Sequence, residues 1–227
     1  MKNKTVEPQY KRYFEVMNKK NPTKLGLSIN QAYEDDPIRI TFMTSRYKFV
    51  SKMFLNFKKV LEIGCSDGFL SRIVKQNVSK LDAIDFDKLL IEDAIRNNKN
   101  LNKKYKIKFM TKNILKEPIK NKYNGVYALD VFEHVSRQNE KKFLLNITKS
   151  LSKDGVLIIG TPSLESQKYA SKISKEGHIN CKSGIDLKNL LKKYFNNVFL
   201  FSMNDEVVHT GFNKMAHYLF AICCFKK

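Results

Sequence analysis

The chain has 227 residues, of which 42% are hydrophobic and 28% are charged. Its 16 Phe and 10 Tyr residues supply a core, which excludes general disorder, and no apolar run approaches the ~20 residues that a membrane helix needs. Residues 1–11 contain no apolar stretch that would form a secretory signal. The sequence therefore predicts a cytoplasmic protein without integral membrane association.

The charge balance leaves two interpretations open. Lys and Arg total 42 against 22 Asp and Glu, giving a formal net charge of +20, which suggests a polyanionic partner. Only six of the 42 are Arg, however, and Lys is a hydrated point charge suited to solvated surfaces. The densest basic run, residues 99–122, is therefore either a solvated face or a surface for an anionic partner such as nucleic acid.

The four cysteines show no paired spacing, so we expect no disulfide scaffold. His178 and Cys181 stand three residues apart, but no second ligand pair accompanies them. Structural zinc requires four N or S ligands in closed spacing. The sequence thus predicts no metal site.

Taken in chain order, the pattern predicts a polar N-terminal arm over residues 1–37 and a single domain over 38–227. A helix is expected over 38–57, where apolar residues recur at helical spacing. Strands and helices then alternate, which is typical of βαβ units and a parallel sheet. The predicted strands are 59–63, 81–85, 105–111, 124–129 and 154–160, and the predicted helices between them are 68–77, 87–98 and 137–151.

The last fifth of the chain breaks this alternation. After a helix over 185–194, strands at 198–203 and 215–225 are separated by a loop alone, which indicates an antiparallel hairpin. The predicted fold class is α/β, with a seven-stranded, mostly parallel mixed sheet and helices on both faces. Residues 164–184 form a polar insertion after the fifth strand, at the carboxyl edge of the sheet, where they can cover an acceptor.

The segment 60–71 carries the chemistry. A strand ends in an acid, and a turn containing Gly64 and Gly68 then opens a helix whose free N–H groups can face a ligand. The spacing fits neither a phosphate loop nor a dinucleotide fingerprint. Asp85 and Asp130 end two further strands, so three acids converge on the crevice where open α/β sheets bind ligands, and Asp85 can take two ribose hydroxyls.

Together these features resemble the class I S-adenosylmethionine-dependent methyltransferases over residues 38–225. The D-V-x-E-H-V segment at 130–135, followed by 155–163, looks most like the ubiquinone-type small-molecule branch. The resemblance implies a Rossmann-like fold, S-adenosyl-L-methionine as cofactor and S-adenosyl-L-homocysteine as product. It implies a cofactor loop at Glu62, Gly64, Cys65, Ser66, Asp67 and Gly68, a ribose contact at Asp85, adenine contacts at Phe86, Asn113 and Ile114, and a methionine-end contact at Asp130.

Two positions depart from the family pattern. Ser66 stands where the family commonly has glycine, which puts the fit of the backbone against the cofactor in doubt. Asn113 stands where the family often has Asp, but an amide oxygen can still accept from an adenine amino group.

Methyl transfer from a sulfonium is an in-line displacement, and a hydroxyl acceptor must also lose its proton to a positioned base. The candidate catalytic bases are His178, in the insertion, and His134, directly after a strand end. The expected acceptor is a small molecule with a hydroxyl, anionic or sugar-like, such as a phosphorylated or nucleotide-linked glycan precursor. An RNA methyltransferase, a quinone-precursor or lipid methyltransferase, and a non-catalytic cofactor-binding protein are the alternatives.

Overall fold

The computed structural model describes residues 6–19, 23–99 and 102–227. Within them, eight strands form one sheet. They are β1 Lys59–Ile63, β2 Lys80–Asp85, β3 Lys108–Thr111, β4 Tyr123–Leu129, β5 Leu151–Pro162, β6 Phe195–Asn204, β7 Val207–His209 and β8 Tyr218–Lys226. Their order in the sheet is β3-β2-β1-β4-β5-β8-β6-β7. The pairs among β1 to β5 are parallel, and β8 runs antiparallel to both β5 and β6.

Helices cover both faces of this sheet. The α-helices of the described residues are α1 Lys11–Lys19, α2 Leu27–Asp35, α3 Arg39–Met53, α4 Ser71–Lys75, α5 Lys88–Asn98, α6 Glu140–Ser150, α7 Lys172–Gly177 and α8 Gly184–Leu191. Helices α3, α4 and α5 pack on one face of the sheet, and α6 and α8 pack on the other.

The central strands are buried on both sides, which is why they read as nearly continuous apolar runs. Along β4, Val126 and Ala128 face the core beneath α6, whereas Tyr127 and Leu129 face the core beneath α3. This alternation, with a period of two residues, sends the two sets of side chains to opposite layers. The α/β class, the parallel body and the antiparallel end of the sheet are as predicted from the sequence.

Two details of the sheet differ from the prediction. An eighth strand, β7, pairs with the end of β6 across Asn204 and Val207, and its three residues are too few to give a periodic signal. The third strand begins at Lys108 rather than at residue 105, because Lys103–Tyr105 forms a 3-10 turn.

The N-terminal region contains structure that composition did not reveal. Helix α2, inside the predicted arm, buries Ile29 and Ala32 against the domain, while the part of the arm at residues 1–5 and 20–22 lies outside the described residues. No helix among the described residues is long and apolar enough to cross a membrane.

Candidate active site

A cavity of about 670 Å³ opens at the carboxyl edge of the sheet, where β1, β2 and β4 end. The side of the sheet at which parallel strands end is the expected ligand edge of an open α/β fold. Predicted site residues that the structure brings together in its wall are Gly64, Ser66, Asp85, Phe86, Asn113, Ile114, Asp130 and His134.

The glycine turn bends sharply where it borders this cavity. Gly64 has φ +75° and Ser66 has φ +50°, both in the left-handed region. A Cβ on Gly64 would lie 2.2 Å from Cγ2 of Val131, so glycine is required there for space as well as for conformation. Ser66 stands where the family commonly has glycine, and it adopts this strained conformation although it has a side chain. Its N–H donates to Oδ2 of Asp85 (3.0 Å).

The remaining predicted cofactor residues of the turn lie behind the cavity wall. Glu62 and Cys65 are buried, and Oε1 of Glu62 accepts from the hydroxyl of Tyr47 (2.9 Å). Asp67 accepts from the N–H of Ile29 in α2 (2.9 Å) and of Phe69 (3.0 Å). Their side chains hold the turn in place, and the direct cofactor contacts expected of them stay a prediction.

Gly68 has a packing role at the back of the same turn. It has φ +66°, and a Cβ there would meet the ring of Phe109 at 2.4 Å. The absence of a side chain at Gly68 therefore lets the turn lie directly against β3.

Asp85 presents its carboxylate to the cavity while it braces the surrounding loops. Oδ2 accepts from the N–H of Ser66 and Oδ1 from the N–H of Asp87, both at 3.0 Å. Each carboxylate oxygen has a further lone pair, so two ribose hydroxyls can still donate to it. Phe86, next in the chain, is 75% exposed at the cavity and offers a ring face to a flat group.

Asn113 and Ile114 lie across the cavity from the glycine turn, directly after β3. Oδ1 of Asn113 accepts from the N–H of Leu115 (2.8 Å), which fixes the amide in a local turn. The carbonyl of Ile114 accepts from Nδ2 of Asn146 in α6 (2.6 Å). The buried side chain of Asn146 therefore supports this wall of the cavity.

Asp130 is paired with an arginine that no sequence motif marks. Nη1 of Arg46, in α3, lies 2.9 Å from both carboxylate oxygens of Asp130, and its guanidinium stacks 4.0 Å from the ring centroid of Tyr218. Asp130 itself has φ +55° and donates its N–H to the carbonyl of Gly160 (3.1 Å). Only six of the 42 Lys and Arg residues are Arg. Because Lys does not replace a stacked guanidinium, each of these few Arg positions was a sequence signal for such a role.

The two candidate histidines come together beside the cavity, with ring centroids 5.3 Å apart. Nδ1 of His134 lies 2.8 Å from the carbonyl of Gly177, and Nδ1 of His178 lies 2.9 Å from Oε1 of Gln167. An oxygen acceptor faces Nδ1 of each ring, which assigns the ring proton to Nδ1 with the Gln167 amide in this orientation. In the neutral form of each ring, Nε2 then carries the lone pair.

Glu133 completes this group. It is fully buried; Oε2 accepts from the hydroxyl of Thr161 (3.2 Å), while Oε1 has no hydrogen-bond partner among the described residues. Donor atoms of Glu133, His134 and His178 lie within 4.8 Å of one another. Two imidazoles oriented by their other ring nitrogen, with a carboxylate beside them, form a set that suits either proton transfer or a divalent cation.

Burial sets the charge of the group. It raises the pKa of Glu133 to about 8, with nearby Asp130 adding to the effect. Burial, and then the neighbouring His134, lower the pKa of His178. At neutral pH the group therefore holds a protonated carboxyl and a neutral His178 imidazole, which is the form that can accept a proton.

Comparisons with known proteins agree with this geometry. The model of the family described as "Methyltransferase domain" matches residues 36–198. A curated relative, the ubiquinone biosynthesis O-methyltransferase of Rickettsia akari, is 27% identical over 60% of this chain and 52% of its own. The corresponding protein of Rickettsia canadensis is 28% identical over 56% of this chain and 51% of its own. The chain thus spans about half the length of the curated relatives it matches.

Solved structures share the fold. The N-methyltransferase NodS of Bradyrhizobium japonicum, in complex with S-adenosyl-L-homocysteine, superposes with a TM-score of 0.63 at 16% identity, over 86% of this chain and 90% of that one. Because the family match covers well over half of the sequence, its assignment does not depend on these distant structures. The chain belongs to the methyltransferase domain family and has the fold of the class I S-adenosylmethionine-dependent methyltransferases.

Proposed function

We propose that this protein transfers the methyl group of S-adenosyl-L-methionine to a hydroxyl of a small organic acceptor. The observation that carries the proposal is the group of Glu133, His134 and His178, whose donor atoms lie within 4.8 Å of one another and whose His134 lines the cavity together with Asp85. A hydroxyl placed there has groups that can take its proton. An amine that reaches the site unprotonated would not require them.

The cavity fits the cofactor in size and polarity. Its volume of about 670 Å³ lies within the range of small-molecule sites. Asp85 can accept from the ribose, and Asp130, which lines the cavity and is held by its ion pair with Arg46, can accept from the ammonium of the amino acid end. When bound, the cofactor supplies an electrophilic methyl group on a sulfonium.

In the proposed reaction, the group formed by Glu133, His134 and His178 activates the acceptor hydroxyl. With Glu133 ionised, its carboxylate and the two imidazoles offer mixed oxygen and nitrogen ligands to a divalent cation, and a cation there would lower the pKa of a bound hydroxyl. Cation binding must displace the proton that Glu133 carries at neutral pH. Without a cation, His178 is the neutral base, as its lowered pKa favours.

The acceptor class is proposed from two kinds of support. The relatives named as ubiquinone biosynthesis O-methyltransferases favour a phenolic hydroxyl, as in a quinone precursor. The net charge of +20 favours an anionic or sugar-like acceptor, such as a nucleotide-linked glycan precursor. We rank the phenolic class first, because Lys112 is the one lysine of the run 99–122 that lines the cavity among the described residues, whereas Lys99, Lys104, Lys106 and Lys108 line a groove elsewhere.

The test uses radiolabelled methyl transfer to a panel of catechols and nucleotide-linked sugars, with and without a chelator. We expect transfer to a catechol that falls by about tenfold or more on chelation and returns with Mg²⁺ or Mn²⁺. His178→Ala should lose about 10²-fold in kcat, with affinity for S-adenosyl-L-homocysteine within about twofold. The matched control is His209→Ala, since His209 lies on β7 outside the cavity lining and should behave as wild type.

Each other outcome has a defined meaning. Chelator-insensitive transfer that still requires His178 would assign the residue as a base and reject the cation. Transfer that tolerates both His178→Ala and His134→Ala would reject hydroxyl activation at this group.

A further inference from the structure

Helix α1, Lys11–Lys19, carries an apolar face that the domain does not cover. Among the described residues, the element that it contacts most extensively is the 3-10 turn Pro8–Tyr10 just before it. Tyr13 is 63% exposed and Met17 is 56% exposed. Apolar side chains of this size are normally buried or partnered, so an exposed row of them marks an interaction surface.

The two faces of α1 are cleanly separated. Tyr10, Tyr13, Phe14 and Met17 follow the i, i+3, i+4, i+7 spacing of one helical face. The rings of Tyr10 and Tyr13 stack with centroids 5.7 Å apart along that face. On the opposite side the sequence places the charged residues Lys11, Arg12 and Glu15.

The charge around this helix is predominantly positive. The first 24 residues hold seven Lys or Arg and two Glu. A helix with aromatic and apolar side chains on one face and basic residues on the other binds in the plane of a membrane interface, and anionic lipids attract its polar face. We propose that α1 docks this protein on the surface of an anionic lipid bilayer.

Docking through α1 would tether the cavity to the bilayer by a short stretch of sequence, because only residues 20–26 separate α1 from α2 and seven residues span at most ~25 Å. Helix α2 borders the site: its Ser28 lines the cavity, and Asp67 of the glycine turn accepts from the N–H of its Ile29. An amphiphilic acceptor with its polar ring in the lipid headgroup region could then reach the site without leaving the membrane. This surface is independent of the group formed by Glu133, His134 and His178, so the proposal does not depend on the acceptor assignment.

The experiment is flotation of the full chain with vesicles of phosphatidylcholine containing about 30% phosphatidylglycerol, compared with pure phosphatidylcholine. We expect recovery with the anionic vesicles and loss of it with rising salt. The double variant Phe14→Ser/Met17→Ser should bind about tenfold or more weakly, because it removes apolar area from the interface. Lys11→Gln/Arg12→Gln should weaken binding at low salt.

The matched control is Phe199→Ser, which removes an apolar side chain of similar exposure (53%) from β6. It should float as wild type does. Affinity for S-adenosyl-L-homocysteine, measured on every variant, should be unchanged, which separates a docking defect from a folding or cofactor defect. The proposal is overturned if Phe14→Ser/Met17→Ser floats normally, if pure phosphatidylcholine recruits the protein equally, or if the double variant instead dissolves a dimer seen by sedimentation.

Discussion

At the scale of single residues, Glu62 couples the end of β1 to α3. Its side chain is buried, and burial raises the pKa of Glu62 to about 7 against the opposing effect of the nearby hydroxyls of Ser71, Tyr127 and Tyr47. The unfolded chain releases this proton near pH 4.5, so the folded state holds it over a wider pH range. The stability that this group contributes is therefore complete below about pH 4.5 and is lost as pH rises through about 7.

Glu62→Gln keeps the acceptor for Tyr47 and removes the titration. We expect thermal unfolding of the variant to depend less on pH between about 5 and 8, with a gain of roughly 3 kcal/mol at most at the upper end. Calorimetric scans at several pH values measure this. An unchanged pH dependence would mean that Glu62 is ionised in the fold.

Some site residues were predictable from position and others were not. Gly64 and Asp130 directly follow β1 and β4, Asp85 ends β2, and His134 lies in the short turn after β4, so chain order alone places them at the carboxyl edge. Arg46 reaches Asp130 across 84 residues of sequence, from a helix whose face cannot be assigned to the site by periodicity. The role of a partner that distant is fixed by tertiary packing.

At the scale of elements, the glycine turn joins three parts of the fold. It follows β1, its Asp67 holds the start of α2, and Gly64 lies against Val131 after β4. The sequence predicted the turn because glycines closing a strand are a local signal. It did not predict the packing of α2, because a short polar helix with two buried residues has too little periodicity to be assigned to a face.

Gly64→Ala should abolish binding of S-adenosyl-L-homocysteine and lower the unfolding temperature. The added methyl group would clash with Val131, and the alanine backbone would have to adopt φ +75°. Gly64→Ala/Val131→Ala relieves the clash but not the backbone strain, so it should recover stability in part. Calorimetric binding and unfolding measurements distinguish the two effects, and normal binding by Gly64→Ala would show that the turn tolerates a side chain.

At the scale of the whole molecule, one cluster of lysines lies away from the active site. A groove of about 1260 Å³ opens beside the amino ends of β2 and β3, at the opposite edge from the cavity. Strands of this length separate the two edges by ~15–20 Å. The lysines that line it are Lys75, Lys80, Lys99, Lys104, Lys106 and Lys108.

A quadruple Lys→Gln variant tests whether this basic region serves the reaction. The four replaced residues are Lys103, Lys104, Lys106 and Lys108. If the lysines form a solvated face, turnover on the small acceptor should change by less than about threefold, since exposed charges act weakly on a distant site. Steady-state kinetics and RNA filter binding at several salt concentrations measure the two roles. A turnover loss above about tenfold, together with a shallower salt dependence of RNA binding, would favour a nucleic-acid substrate.

Titration calorimetry of S-adenosyl-L-homocysteine into wild type, Asp85→Ala and Asp87→Ala tests directly whether this cavity is the cofactor site. Asp87 lies in the same loop but caps α5 by accepting from the N–H of Leu89 (2.8 Å) and does not line the cavity. We expect one site in wild type, binding about tenfold or more weaker in Asp85→Ala, and affinity within about twofold of wild type in Asp87→Ala. No binding by wild type, or equal affinity in Asp85→Ala, would contradict this assignment.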